Sequence, residues 1–478
     1  MSYMNCRVKR AALGVAILWG ILGLILLLPA TAWAGGHTVK VPPPNGVDDT
    51  AKIQGALNKC KAYGAGCTVQ LQAGTYHTKQ VIIHNFQGTF KGVGKASTTI
   101  EALFLPANFP DPSLVEACNP NFTDCLWTTL ITFIDGNINV SDLTINVTLV
   151  PATQTWVDDG VDYENVFAPL EFTGKHPMNV TIDRIAINGQ PDPNDPFGFN
   201  IENGVHYSGE LARSKKPGDF YFLSGSYTVR KSYFNNTGVA VSEDGFITSS
   251  QITIGGSPET GNYMENDVGG IDLEASQKST FEISYNNSSG LGAGMWVVPY
   301  SFPYVASGPS RYWIHDNKFT GTGQYYSPTN FPDGIYLYDD ATNPWIQAAI
   351  WNNKVQVQNN LSEGIGVNNT KGTTIWNNTV KGSDGLDGIA LYASTLGNVI
   401  NNNVSGFTVD PSGYAEIYLD PSTTYDLVVC ANPSTTVLNQ GSNNLVLGCG
   451  VSVTSKMNAA PNSAVIQPKF SKKKPAVR

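Results

Sequence analysis

Helical spacing is absent from the repeated phrases that fill most of this 478-residue chain, so the repeat is not a helical one. Cys-x-x-Cys spacing is absent as well, and the seven cysteines therefore do not spell the common structural zinc site. Positive charge is short: 29 Lys and Arg stand against 38 Asp and Glu, for a formal net charge of −9. An acidic body of this kind argues against nucleic acid or an anionic membrane as the main partner.

Two short phrases alternate between Asp333 and Tyr392. Asp333-Gly334-Ile335-Tyr336-Leu337-Tyr338 recurs as Glu363-Gly364-Ile365-Gly366-Val367-Asn368 and as Asp387-Gly388-Ile389-Ala390-Leu391-Tyr392. Between them, Ile350-Trp351-Asn352-Asn353 recurs as Ile375-Trp376-Asn377-Asn378 and as Val399-Ile400-Asn401-Asn402. Copies lie about 24 to 36 residues apart, the period of a solenoid, in which a unit buries its apolar face only when neighbours stack on it. Within each phrase apolar and polar residues alternate, which is the period of a strand. Two or three short strands per repeat, turned by Gly, Asn and Ser, return each coil to its start, and parallel crossovers of this kind run right-handed. Asn286, Asn317, Asn353, Asn378 and Asn402 each fall three residues after a large apolar residue, at a bend. Asn tolerates a left-handed bend, and its amide can pair with that of the next coil.

With these phrases the chain from Val47 to Cys449 resembles the right-handed parallel β-helix superfamily, pectate lyase-like and NosD-like. The fold class expected is all-β, a right-handed parallel β-helix solenoid with a short N-terminal capping helix. Ile53, Ala56, Leu57 and Cys60 have helical spacing after Asp48-Asp49, which can cap the helix. Together with the strand from Cys67 and the turn at Gly74, they resemble the N-terminal cap of that superfamily, which plugs the open end of the stack. The expected organisation is a signal peptide over 1–34, a Pro-rich lead over 35–46 and the β-helix over 47–454. The cap takes 47–76, inserts take 101–129, 149–177 and 189–224, and a basic disordered tail takes 455–478.

The N-terminal segment places Arg7, Lys9 and Arg10 before an apolar run that ends at Pro29 and the small-residue site Ala32-Trp33-Ala34, which predicts secretion with cleavage after Ala34, the alternative being an uncleaved membrane anchor. Its removal leaves a net charge of −12 and no membrane attachment. The protein is then secreted, periplasmic or on the cell surface, and local pairing of the remaining cysteines predicts disulfides Cys60 with Cys67, Cys118 with Cys125 and Cys430 with Cys449.

Aligning the Gly-Ile-x-Leu phrases in register puts Asp272, Trp296, Tyr336, Gly366 and Ala390 in one outward strip, about 4.8 Å per coil. Beside it run Glu274, Val298, Tyr338, Asn368 and Tyr392, and the preceding turns supply Asp333, Glu363 and Asp387. Aromatic rings stack on the apolar face of a sugar while carboxyls bind its hydroxyls or act as acid and base. The strip predicts a polysaccharide partner, with Asp272, Glu274 and Asp333 as catalytic candidates. Trp296, Tyr336, Tyr338, Glu363, Asp387 and Tyr392 are the substrate-binding candidates. No cofactor is evident. An anionic sugar polymer would need local basic groups or a bridging cation, for which Ca²⁺ is the candidate.

His315 is the one histidine on a repeat strand; Asp316 could orient it as a base, although alternation sends neighbours to opposite faces. Motifs of polygalacturonases, common pectate lyases, pectin methylesterases and alginate epimerases are absent, with Asp339-Asp340 the one suitably placed fragment. Two function classes therefore stand: a polysaccharide lyase, hydrolase or epimerase, and a non-catalytic glycan-binding or structural β-helix of the surface or envelope.

Overall fold

Three parallel ladders of strands make up the coil. The computed structural model describes residues 36–103, 129–148, 156–158, 161–163, 168–191, 199–209, 223–243, 247–274, 277–290, 293–298, 308–321, 334–339, 346–358, 363–383, 387–407 and 414–453. The first ladder runs through Ala168–Gly174, Asn203–Gly209, Val239–Glu243, Gly269–Glu274, Ala293–Val298, Ile335–Tyr338, Ile365–Asn368 and Ile389–Tyr392 to Val451–Val453. The second begins with Thr38–Lys40 against Cys67–Gln70 and ends at Leu445–Leu447. The third holds 11 strands, from Gly74–Thr78 to Asn403–Ser405. Every pairing in the three is parallel and joins one coil to the next, which makes the chain a right-handed parallel β-helix.

Period-two alternation decides what faces inward. Ile335 and Leu337, Ile365 and Val367, and Ile389 and Leu391 are buried, whereas Tyr336 and Tyr338 keep partial exposure. Near the N-terminal end aromatic residues fill the coil, with Phe133 stacked on Phe172 at 5.5 Å and Tyr207 on Tyr227 at 4.6 Å between centroids. Strands Val81–Lys91 and Thr129–Ser141 each serve two ladders, because Asn85 and Asp135, at φ of 53° and 55°, bend them midway.

The helix Thr50–Tyr63 buries Ile53, Ala56, Leu57 and Cys60. It also closes a sheet edge, since Gln54 donates to the Ile82 carbonyl at 2.9 Å and accepts from the Ile82 N–H at 3.2 Å. An open edge strand would otherwise offer those groups to another chain. Asp49 stands at the N-cap without a side-chain cap bond. Asp48 takes the Thr50 N–H instead, at 2.9 Å. The Pro-rich lead is more than a lead, because its Thr38–Lys40 forms the first strand of the second ladder.

The asparagine column forms as expected, with one correction. Asn262, Asn286, Asn317, Asn353, Asn378 and Asn402 are buried, and each Nδ2 donates to the Oδ1 of the next at 2.9 to 3.0 Å. The left-handed bend falls one residue earlier, at Tyr285, Asp316, Asn352, Asn377 and Asn401. The column asparagines are therefore fixed by amide pairing rather than by backbone conformation. Asn353→Ala strands the Ile314 carbonyl and both neighbouring amides. At about 1 to 3 kcal/mol per stranded buried group, it is expected to lower stability by about 2 to 4 kcal/mol, read from the melting midpoint.

Two insert boundaries are corrected as well. Ala168–Gly174 and Asn203–Gly209 lie inside the spans expected to be inserts, yet both are full members of the first ladder, paired Leu170 with Val205 and Phe172 with Tyr207. Their strand alternation is short and sits among proline and acid, which masks it in the sequence. The disulfides Cys60–Cys67 and Cys430–Cys449 are present, with Cα atoms 5.5 and 5.1 Å apart. The Cys118 and Cys125 pair, the signal segment, the tail and Asp333 lie outside the described residues.

Candidate functional site

Loop length singles out one face. Between the second and third ladders the chain turns mostly through bends of two residues, as at Asp316-Asn317 and Asn352-Asn353, with 71–73, 92–97 and 256–262 the longer ones. Long connections enter or leave the first ladder, among them 104–128, 149–167, 210–222 and 322–333. Long loops on a rigid scaffold are where binding and catalytic groups concentrate.

The outward column of that ladder is continuous. In register it reads Thr132, Glu171, His206, Ser242, Asp272, Trp296, Tyr336, Gly366, Ala390 and Tyr418. Trp296 pairs directly with Tyr336 despite the 40 residues between them, so no coil intervenes. The neighbouring column brings Glu274 beside Val298 and aligns Tyr338, Asn368 and Tyr392.

Sequence reasoning missed the N-terminal part of this column, because Glu171 and His206 lie in spans taken for inserts. Their own alternation, Leu170-Glu171-Phe172 and Val205-His206-Tyr207, carried the signal. His206 Nδ1 lies 2.8 Å from Glu171 Oε2, a hydrogen bond the ring donates, and both side chains are almost wholly buried. Glu243 faces inward, in one column with Tyr207 and Leu273, and burial followed by the nearby Glu243 charge pushes the Tyr207 hydroxyl well up.

Asp272 stands two coils beyond His206, with only the small Ser242 between. Its Oδ1 is shut off from solvent and has no hydrogen-bond partner among the described residues. Burial pushes the carboxyl up to about 7, with His206 pulling the other way. Raised carboxyls occur elsewhere too, but with structural duties. Asp267, pushed up to about 8, accepts from Thr237 N and Oγ1 at 2.9 Å, and Asp426 accepts from Gly397 N at 2.7 Å. Asp272 has no such duty.

The aromatic residues are seated by glycine. A Cβ at Gly269 would lie 2.6 Å from the Trp296 ring, and one at Gly366 would lie 2.8 Å from the Tyr336 ring. Trp296 thus leans toward the N-terminal coils and Tyr336 toward the C-terminal ones. Further along, Tyr392 donates to Glu363, whose carboxyl burial pushes up to about 7. Asp387 accepts the Ala415 N–H at 2.7 Å and is pushed well up by burial, then by Glu363. Both acids are more enclosed than an exposed binding rim requires, at 9% and 1% exposure.

His315 belongs to a different face. It lies on the second ladder, held by Asp316 at 2.8 Å and Glu282 at 2.5 Å and stacked on Trp351 at 4.1 Å between centroids. Alternation does not separate His315 from Asp316, because Asp316 adopts φ of 54° and leaves the strand. Among the described residues no group of three or more His, Cys, Asp and Glu side chains is arranged to hold a metal ion.

No family model matches the sequence, and no curated protein matches it. Solved structures similar to this one include the A-module of a mannuronan C-5 epimerase from Azotobacter vinelandii, 14% identical over 85% of this chain and 96% of that one, TM-score 0.45. The catalytic unit of a GH87 α-1,3-glucanase from Streptomyces thermodiastaticus is 14% identical over 88% and 70%, TM-score 0.48. An exopolygalacturonase from Thermotoga maritima is 11% identical over 86% and 92%, TM-score 0.43.

Proposed function

We propose that this is a secreted or periplasmic protein that binds a polysaccharide along the outward column of the first ladder and acts on it by acid–base chemistry. The observation that carries this is Asp272, a half-buried side chain whose Oδ1 is shut off from solvent without a protein hydrogen bond, raised to about 7, and in register beside Trp296. Catalytic acids are tuned toward the working pH by such burial. Asp272 is the proton donor. Glu274, two residues along the same strand and on the same face, is the second carboxyl, at a Cα spacing of about 7 Å. Trp296 and Tyr336 are the stacking platforms, and the enclosed Glu363 and Asp387 with the half-buried Tyr392 brace the Tyr336 end while Tyr338 borders it. The two disulfides among the described residues are compatible with an oxidising compartment.

The test is incubation of the mature protein with neutral and uronate polysaccharides, with and without Ca²⁺, followed for new reducing ends or absorbance of unsaturated product. Product from a polysaccharide supports the proposal, and binding without product from any of them supports a glycan-binding scaffold instead. Trp296→Ala is expected to weaken glycan binding about tenfold or more, since a stacked aromatic in a groove contributes roughly 1 to 3 kcal/mol. An unchanged melting midpoint shows that the loss lies in the site.

A further inference from the structure

The outward column of the first ladder carries a second set of groups, which the acid–base chemistry proposed above leaves unused. In register, Glu171, His206, Ser242 and Asp272 stand on four consecutive coils. Exposure is graded over the first three, 1% for Glu171 against 6% for His206 and Ser242, so the carboxyl is the most enclosed. Glu171 Oε2 takes the His206 Nδ1–H at 2.8 Å, a bond that sets the tautomer and makes Nε2 the proton-accepting nitrogen. The two ring nitrogens point in nearly opposite directions. Because Glu171 lies on the coil before His206, Nε2 is turned toward the coil after it, where Ser242 stands. Ser242 Oγ donates to the Val205 carbonyl at 3.4 Å, longer than a good hydroxyl bond, so little holds it away from the imidazole. Carboxylate, imidazole and hydroxyl in that spatial order are the arrangement of an activated serine, recognised by geometry and roles rather than by order in the sequence. The bond between nucleophile and base commonly tightens only when substrate is bound.

The next two coils supply what acyl transfer needs beside the nucleophile. Asp272 Oδ1 is shut off from solvent and has no hydrogen-bond partner among the described residues. Burial keeps that carboxyl protonated up to about 7, and a protonated carboxyl donates to an oxyanion. Trp296 follows Asp272 in register, which puts a sugar stacked on it about 10 Å from Ser242, two strand spacings away. We infer that Glu171, His206 and Ser242 form a serine esterase site, with Asp272 as oxyanion donor, whose substrate is an acyl ester on a sugar hydroxyl of the polysaccharide held at Trp296. The sugar part of this inference rests on the function proposed above, whereas the ester chemistry does not. Ser242 Oγ bonds to the ester carbonyl carbon while its proton passes to His206 Nε2. The bond from that carbon to the sugar oxygen breaks, and the sugar hydroxyl leaves with the proton. Water then attacks the acyl-serine, giving a proton to His206, and the free acid departs as Ser242 Oγ takes the proton back.

The experiment follows acid release by the full mature protein from p-nitrophenyl acetate and from O-acetylated xylan, glucomannan and pectin, with mass mapping after fluorophosphonate treatment. The expected result is release from p-nitrophenyl acetate and from at least one of the three glycans, with the label on Ser242. Ser242→Ala is expected to lose at least about 10³-fold in rate with its melting midpoint unchanged. Glu171→Gln, which disturbs only the positioning of His206, is expected to lower kcat about 10²- to 10⁴-fold at unchanged KM. Asp272→Ala is expected to lose more than Asp272→Asn, whose amide still donates to the oxyanion. Parent-level release in Ser242→Ala, or no release from any of the four by the folded parent, overturns the inference. Release confined to p-nitrophenyl acetate overturns the sugar ester as its substrate. Glycan binding that falls in Trp296→Ala reads the polysaccharide function separately, so either reading can fail while the other stands.

Discussion

Asp272→Asn is expected to lower turnover by about 10² to 10⁴-fold, the contribution typical of a positioned general acid, while glycan affinity stays within about threefold. Asn preserves the shape of the side chain and its contacts with a sugar, but it has no proton to give. The pH dependence follows from the same group. Burial holds the carboxyl protonated up to about 7, so the parent turns over fully below that pH and loses rate about tenfold per unit above it. The residual rate of Asp272→Asn lacks this limb. Stability also falls with rising pH, over a lower window. The folded carboxyl keeps a proton that the unfolded chain releases near pH 4, so the parent loses stability as pH rises from about 4 to about 7. Asp272→Asn escapes that loss and is expected to melt higher than the parent at pH 7 and equally at pH 4. An unchanged rate in Asp272→Asn would exclude Asp272 as the acid.

Ile335→Asp is expected to prevent folding, and Tyr336→Ala is expected to leave the melting midpoint within a few degrees of the parent. Ile335 is fully buried, stacked between Met295 and Ile365 in the inward column. A carboxylate there finds no partner, at a cost of several kcal/mol, and in a solenoid the damage passes to both neighbours because each coil supplies the other's burial. Tyr336, one residue away, points outward with partial exposure. Circular dichroism and melting of the purified variants decide between them. Similar behaviour of both would place the register one residue out.

The fold was legible because a coil repeats its instructions. Gly-Ile-x-Leu and Ile-x-x-Asn name the inward residues and the buried amide column several times over, so one misread copy costs nothing. The column from Asp272 to Ala390 followed from the same register. The segment holding Glu171 and His206 was not legible, because coils near the N-terminal end fill their interior with Phe172, Tyr207 and Tyr227 in place of the recurrent Ile and Leu, and a long connection, 149–167 or 189–202, precedes each strand and breaks the repeat spacing. Asp316, named as a partner for His315, was set against alternation for a more local reason. Alternation holds only inside a strand, and Asp316 is the bend that ends one. The states of Asp272, Glu363 and Asp387 were beyond the sequence altogether, since burial, which sets them, is a property of the assembled coils.

The most direct test of the central claim, that glycan lies along the outward column of the first ladder, is a crystal structure of Asp272→Asn soaked with an oligosaccharide prepared from the polysaccharide the protein binds. The account predicts sugar rings against the faces of Trp296 and Tyr336, with one sugar oxygen within about 3 Å of the side chain at position 272. Sugar found instead on the His315, Trp351 and Trp376 stack of the second ladder, with the Trp296 column bare, would contradict it.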